Sequence, residues 1–437
     1  MIRFGHILIT IVVALVFTTI VFGLERFPPP DFEETNHKIP DINHITDIVP
    51  QQNIFEYIDV AVLAAALLLS SYLVLKKRSR HLVFMLMIFS LLYFGFWRKG
   101  CICPIGAIQN VVLSFFDNSY AVPVSVIFFF ILPLVSTLFF GRTFCAAVCP
   151  LGGIQDLVLV HPVSIPQWLE SALRLLAYIY LAAAVLFAAT GSAFIICRYD
   201  PFVSLFRLSG HLSLLILGAC FLLTGMFVGR PYCRFICPYG VILRQFSRLS
   251  KWKVTITPDD CIKCRLCENA CPFGAITTPT VDWPQDSYSK SKKLLGLLIL
   301  LLPILVLLGG WAGSALGPSF ARMHANVRLA ERVYLENQGQ AEGTTDASSA
   351  FRATGKPTEE LYDEASAIRE NFYFGGWLFG GFIGLIAGLK LIIPSIRKRR
   401  TDFQADRAGC LACGRCFQFC PREHVRLKNL KENRKAK

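Results

Sequence analysis

Eight apolar stretches separated by polar segments dominate the hydropathy pattern of this chain. Each is long enough to cross, or nearly cross, the ~30 Å hydrocarbon core, for which a helix needs about 20 residues. Basic residues gather at residues 76–80, 244–253, 290–293 and 397–400, which marks those ends as cytoplasmic. The pattern predicts an all-α polytopic membrane protein with both termini inside. The predicted spans are residues 7–24, 60–75, 82–96, 124–140, 173–189, 212–228, 294–312 and 377–393.

Composition supports a membrane protein over a soluble one. The 437 residues are 54% hydrophobic and only 17% charged, with a mean hydropathy of +0.50. The net charge of +14 could indicate nucleic acid, but most basic residues flank the apolar stretches, so no nucleic-acid partner is expected. Residues 7–24 also fit a secretory signal. Because they lack a small-x-small cleavage site, we predict an uncleaved span.

Two cysteine runs give the strongest chemical signal. They read CIKCRLCENACP and CLACGRCFQFCP, the spacing of bacterial-type [4Fe-4S] ferredoxins, in which the fourth cysteine of each run ligates the cluster of the other run. The runs are therefore expected to lie against each other. Structural zinc pairs two short couples across a longer loop, and disulfides belong to small secreted domains, so both fit less well. The predicted ligands are Cys261, Cys264, Cys267 and Cys420 for one cluster, and Cys410, Cys413, Cys416 and Cys271 for the other.

A second set of cysteines lies in repeated loops after the spans. GRTFCAAVCPLG and GRPYCRFICPYG are copies of one unit, which indicates an internal two-fold repeat. Looser versions read KGCICPIG and CRYDPF. The topology predicts an inner iron–sulfur centre and an outer one, so one or two further centres join the two [4Fe-4S] clusters. The inner candidates are Cys145, Cys149, Cys233 and Cys237; the outer ones are Cys101, Cys103, Cys197 and Asp200.

Residues around these loops suggest how a buried cluster is accommodated. The proline after each loop predicts a helix start, whose free N–H groups face the anionic cluster. Arg142, Arg230 and Arg234 either add to this compensation or anchor the chain at the headgroups. Cys220 stands alone in an apolar stretch and is interpreted as a packing residue. Candidates for a quinone site are His161, Asp156 and His211, although a lone histidine at an interface is more often structural.

The motifs divide the chain into five predicted parts. The two ferredoxin halves are separated by a pair of spans, so cross-ligation would hold the ends of that hairpin together. The parts are 1–59, the first span with an acidic outer segment; 60–253, the duplicated membrane domain; 254–290, the first ferredoxin half; 291–396, the hairpin, with an outer polar domain at 318–371; and 397–437, the second ferredoxin half with a basic tail.

Residues 82–272 and the run at 410–420 resemble the NapH/NosR-type membrane polyferredoxins, whose mark is paired CxxxCP loops followed by two [4Fe-4S] runs. The chain departs from that pattern in the CxC at residues 101–103, in the separate loop at Cys197 and in the hairpin between the ferredoxin halves. The resemblance implies electron exchange between the quinone pool and a redox partner, or maintenance of a periplasmic metalloenzyme. It also implies a place in the bacterial inner membrane, within a multisubunit complex.

Three functions compete at this point. The first is an electron-transfer subunit, a quinol dehydrogenase-like oxidoreductase component that links the quinone pool with redox partner proteins through the cytoplasmic clusters and the membrane centres. The alternative is an accessory or maturation factor that supplies electrons to another metalloenzyme. The third is a non-redox binding or signalling protein, which requires the clusters to be purely structural.

Overall fold

The computed structural model describes residues 54–100, 104–118, 120–163, 165–207, 212–257, 260–280, 286–393 and 400–435. The predicted span at 7–24, Cys101, Cys103 and His211 lie outside these residues. Within them the chain is helical apart from one two-stranded ladder. The long helices are α1 Ile54–Tyr72, α2 Arg80–Ser90, α3 Pro104–Phe116, α4 Val124–Phe140, α7 Gln167–Ala189, α10 Leu212–Gly225, α14 Asp286–Ala321 and α17 Thr358–Ile392.

Shorter elements connect these helices. Helices α1 and α2 run on as π-helical turns, Leu73–Lys77 and Leu91–Trp97. The cysteine loops contain α5 Thr143–Ala147, α6 Pro150–Leu157, α8 Ile195–Tyr199, α9 Pro201–Arg207, α11 Pro231–Phe235 and α12 Pro238–Arg248. The remaining elements are α13 Leu266–Asn269, β1 Ile276–Thr277, α15 Ala325–Asn337, α16 Asp346–Ala353, β2 Gln404–Ala405, α18 Arg415–Gln418 and α19 Pro421–Lys435.

Apolar helices of membrane-spanning length occur where most of the spans were predicted. In the described part of the chain five helices are long and apolar enough: Phe55–Lys77, Arg80–Trp97, Gln167–Ala189, Lys292–Ala321 and Thr358–Ile392. The stretch at 124–140 forms α4, which is followed by the cap residue Gly141, and the stretch at 212–228 forms α10, which ends at Gly225. Both helices are shorter than these five. The chain is thus a helical membrane protein, while the number of eight spans stays a prediction.

The hairpin of α14 and α17 is held together by a seam of glycines. A Cβ at Gly313 would lie 2.1 Å from the carbonyl oxygen of Gly376, and one at Gly380 would lie 2.0 Å from that of Gly309. Only glycine allows two membrane helices to approach so closely. The predicted outer segment 318–371 consists of the end of α14, the start of α17, and α15 and α16 between them.

The two ferredoxin halves meet although more than a hundred residues separate them. Strand β1 pairs with β2 in antiparallel register, Ile276 opposite Ala405 and Thr277 opposite Gln404. The N–H of Thr280 also donates to the carbonyl of Arg400 at 3.0 Å. The α14–α17 hairpin makes this pairing possible, because it leaves the module and returns to it. The structure therefore places the two cysteine runs side by side, as expected from their spacing.

Candidate iron–sulfur sites

The first predicted ligand set lines one cavity. Cys261, Cys264 and Cys267 of the first run share a cavity of about 270 Å3 with Cys420 of the second run. Three thiols from one run and the fourth from the other is the arrangement of two-cluster ferredoxins. Cys267 is buried, and burial raises the pKa of its thiol to about 11. These four residues fit a [4Fe-4S] cluster.

The loop backbone is the same in both runs. The second and fourth residues after the first cysteine have left-handed φ values: Lys263 and Arg265 at 56° and 62°, and Ala412 and Gly414 at 54° and 81°. These angles fold the chain around the cysteines. In the second run the N–H of Ala412 donates to Cys410 Sγ at 3.4 Å. Backbone N–H groups aimed at sulfur stabilise a thiolate, which is the form that ligates iron.

The second predicted set also comes together. Burial raises the pKa of Cys410 to about 12, and the nearby thiols of Cys413 and Cys271 raise it too. Cys416 is buried and interacts with the same three thiols. The set therefore again contains three thiols of one run and the fourth of the other. No three cysteine, histidine or acidic side chains among the described residues are arranged to hold a single metal ion.

The inner set is built from two copies of a helix–break–helix unit. In the first copy α5 ends at Ala147 and α6 begins at Pro150. In the second copy α11 ends at Phe235 and α12 begins at Pro238, so a helix starts after each of these loops, as predicted. In each copy the last two N–H groups of the break donate to the same carbonyl. The acceptor is the carbonyl of Phe144 in the first copy and that of Tyr232 in the second. Cys237 caps α12, since its Sγ accepts from the N–H of Gly240 at 3.3 Å.

All four inner thiols lie in one buried region. Burial raises the pKa of Cys237 well above its ordinary value, and Cys233, Cys149 and Cys145 raise it further. Burial also raises the pKa of Cys233 to about 12, against the opposite effect of Arg230. Buried thiols are costly to ionise without compensating charge. This site therefore needs the cations that surround it.

Arg142 and Arg230 supply this charge from inside the protein. They are only 7% and 0% exposed, so they do not anchor the chain at lipid headgroups. Arg142 Nη2 lies 3.8 Å from Cys145 Sγ, and Arg230 donates to the carbonyls of Cys145 and Ala146. Arg234 is different, because it pairs with Glu170 at 2.7 Å. The first two arginines compensate the inner thiols and brace the loop that carries them.

Two glutamines belong to the sites and were missed from sequence. Gln155 Oε1 accepts from the N–H of Tyr232, next to Cys233, at 3.0 Å, and its Nε2 donates to Cys233 Sγ at 3.3 Å. Gln109 Oε1 accepts from the N–H of Ile196, next to Cys197, at 2.9 Å. The signal was present in the pairing of CPIGAIQ with CPLGGIQ. Each glutamine joins one cysteine loop to another.

Asp156 is the centre of a buried ion network. Its carboxylate pairs with Arg80 at 2.6 Å, Arg415 at 3.2 Å and Arg230 at 3.5 Å. Burial alone would raise the pKa of this carboxyl, but the three guanidiniums hold it well below its usual range. Arg415 belongs to the second ferredoxin run and Arg230 to an inner loop. Asp156, a quinone-site candidate from sequence, therefore joins the membrane domain to the ferredoxin module.

Further contacts place the second-run set next to the inner set. Cys145 packs against the apolar group formed by Phe273, Leu411 and Cys413. Arg80 donates to the carbonyl of Cys413 at 2.9 Å. The set around Cys410 therefore adjoins the inner four.

The outer site is only partly within the described residues. Cys197 lies against the first turn of α3, where a Cβ at Gly106 would be 3.1 Å from its Sγ. Both oxygens of Asp200 already accept hydrogen bonds, from the N–H of Phe202 at 2.9 Å and from Tyr232 Oη at 3.1 Å. Asp200 thus caps α9, and its role as a ligand stays a prediction.

Comparison with known proteins agrees with these sites. Two models, each described as a 4Fe-4S binding domain, match the chain: Fer4_5 at residues 122–166, 210–257 and 267–290, and Fer4 at residues 254–277. NirI of Paracoccus denitrificans is 30% identical over 122 residues, 27% of this chain and 18% of NirI. YccM of Escherichia coli, described as a candidate electron transport protein, is 28% identical over 118 residues, 25% of this chain and 33% of YccM. These matches support the resemblance of the chain to the NapH/NosR-type iron–sulfur membrane proteins.

The chain is also 29% identical over 212 residues to the uncharacterized protein MJ0750 of Methanocaldococcus jannaschii, which is 48% of this chain and 86% of that protein. It spans a third or less of YccM and NirI. No solved structure matches it.

Two of the remaining candidate residues, His161 and Cys220, have exposed positions. His161 lies in the exposed loop after α6, where its backbone N–H donates to the carbonyl of Met226 at 3.0 Å. Cys220 is exposed on α10, away from the loop cysteines. His211 is outside the described residues, and the contacts of His161 do not identify a quinone site.

Paired variants test whether Cys420 of the second run ligates the cluster of the first run. If Cys420 serves the first-run cluster, Cys420→Ser combined with Cys261→Ser damages only that cluster. Cys420→Ser combined with Cys413→Ser damages both. We expect one remaining ferredoxin signal in the first pair and none in the second, measured by low-temperature EPR on anaerobically reduced protein. The reverse result would assign Cys420 to the second-run cluster.

Proposed function

We propose that this polyferredoxin transfers single electrons between the membrane quinone pool and redox partner proteins. The observation that carries the proposal is the contact between the inner thiol set and the second-run set, which are joined through Asp156 and through the packing of Cys145. Bound iron–sulfur clusters supply one-electron redox chemistry. The resemblance to YccM, which is described as a candidate electron transport protein, supports the same function.

Each part of the chain has a distinct role in this proposal. The ferredoxin cysteines hold two [4Fe-4S] clusters, and the inner cysteines hold a further centre within the membrane domain. Arg142 and Arg230 offset the charge of buried thiolates. Gln155 donates a hydrogen bond to Cys233, and such bonds to sulfur shift reduction potentials. Asp156 keeps the module docked, so that the sets remain close.

The orientation follows from the basic loop between α1 and α2. Arg78 pairs with Glu423 at 2.6 Å and donates to the carbonyl of Ile256 at 2.7 Å. This loop therefore lies on the same side as both ferredoxin halves. Since its basic residues favour the cytoplasm, we place the module in the cytoplasm and the protein in the bacterial inner membrane. Membrane lipid, quinone and the redox partners of a multisubunit complex are its proposed partners.

The decisive experiment uses anaerobically purified protein in lipid nanodiscs. We expect acid-labile sulfide, and [4Fe-4S] EPR signals that appear when a quinol analogue is added. Signals that respond to dithionite but never to quinol would favour the accessory or maturation role over a link to the quinone pool. Zinc without acid-labile sulfide would contradict both redox functions.

A further inference from the structure

A second, smaller cavity lies beside the inner cysteines. It measures about 30 Å3, where a single water needs roughly 10–15 Å3 on the same measure. It therefore admits a small ion or one headgroup phosphate, but not a quinone ring. Its polar lining includes Arg142, Arg174, Arg234, Arg244, Tyr178 and the inner ligands Cys233 and Cys237.

The lining of this cavity carries surplus positive charge. It includes four guanidiniums, and no carboxylate lines it in the described part of the chain. Glu170 pairs with both Arg174 and Arg234, so one negative charge is shared between two cations. Lys390 adds a further cation near the cavity, with its Nζ 5.5 Å from the ring centre of Tyr178.

The iron–sulfur thiolates account for only part of this charge. Arg142 faces Cys145 and acts on Cys233, so it serves the inner centre. Arg244 is different. No cysteine is among the groups with the largest effect on its pKa. Its Nε has no hydrogen-bond partner among the described residues.

The like charges and the burial make this arrangement costly when no anion is present. Burial, together with the charges of Arg142 and Arg248, lowers the pKa of Arg244. Tyr178 and Asp406 act on the pKa of Arg244 in the opposite sense, with Asp406 weaker than Arg142. Partly buried cations that face each other are stabilised by a counter-anion between them.

We propose that this arginine-lined cavity binds a phosphate-type oxyanion, supplied by an anionic lipid headgroup or by free phosphate. Guanidinium groups present paired donors that match phosphate oxygens. Helix α7, which supplies Arg174 and Tyr178 to the lining, also carries the exposed apolar side chain of Trp168. A bound oxyanion would lie next to Cys237, where its charge opposes reduction of the inner centre.

The test uses the full-length protein in nanodiscs and does not depend on electron transfer. In discs of neutral phosphatidylcholine, inorganic phosphate is titrated against chloride at equal ionic strength, and the unfolding midpoint is followed. A parallel set of discs contains phosphatidylglycerol. We expect phosphate, phosphatidylglycerol or both to raise the midpoint above that in chloride. A response to phosphate in neutral discs identifies a free oxyanion, and a response confined to phosphatidylglycerol discs identifies a headgroup.

Variants locate the effect. The double variant Arg174→Gln with Arg244→Gln is expected to weaken the response at least ten-fold, whereas Arg328→Gln, an exposed arginine on α15, retains it. An undiminished response in the double variant would overturn the proposal. Equal unfolding midpoints in phosphate and in chloride, together with no effect of phosphatidylglycerol, would also overturn it. If the double variant loses its ferredoxin EPR signals, and hence its fold, the wild-type comparison of phosphate, chloride and lipid decides.

Discussion

Cys237→Ser is expected to abolish the inner membrane centre while both ferredoxin signals remain. The serine hydroxyl can still cap α12, because serine is among the best N-cap residues and the N–H of Gly240 is already aimed at this position. What is lost is a soft thiolate ligand, and with it the fourth inner cysteine. We expect the iron and sulfide content to fall by one centre. Quinol-dependent reduction of the ferredoxin clusters should fall with it, while dithionite still reduces them.

Cys220→Ser is the matched control for this experiment. Cys220 is also a cysteine of the membrane domain, but it is exposed on α10 and belongs to none of the thiol sets. Its iron content and EPR spectrum are expected to equal those of the wild type. If Cys237→Ser removed a ferredoxin signal and nothing else, the inner site would have to be abandoned.

Asp156→Asn is expected to detach the ferredoxin module from the membrane domain without removing any ligand. Asparagine keeps the shape but leaves Arg80, Arg230 and Arg415 without their common counter-charge. Breaking a buried ion pair from one side costs about 3–5 kcal/mol. We expect a lower unfolding midpoint and faster loss of the second-run cluster to an iron chelator. The bleaching of cluster absorbance under anaerobic conditions measures that loss.

Glu359→Gln provides the same chemical change at an exposed position on α17. Its unfolding midpoint and bleaching rate should match those of the wild type. If Asp156→Asn behaved like Glu359→Gln, the ion network would not hold the module in place.

The low pKa of Asp156 sets the pH dependence of this contribution. A carboxylate whose pKa is lowered by folding stabilises the folded state at pH values above its unfolded-state pKa. It loses this contribution as the pH falls through its folded-state pKa. The docking contribution of Asp156 should therefore persist at neutral pH and disappear only in strong acid.

The local chemistry of each cysteine loop was readable from sequence. The spacing of the two runs led to the ligand sets that the structure brings together, because a short loop around a cluster has little conformational choice. Pro150 and Pro238 marked helix starts for an equally local reason, since proline fits the first helical position. The ion network of Asp156 could not be predicted, because nothing in its local sequence shows the three distant arginines that surround it.

The sequence by itself determined the apolar helices, the cysteine sets and the repetition of the loop unit, because hydropathy, ligand spacing and helix starts depend on near neighbours. Only the tertiary structure decided which sets adjoin. Along the chain the run at Cys261 follows Cys237 closely, yet the second-run set packs against Cys145. That order depends on ion pairs between distant residues, such as Arg415 and Asp156, and on the hairpin that brings residue 400 back beside residue 280. Contacts of this kind leave no pattern in the neighbouring sequence, so only the tertiary structure shows them.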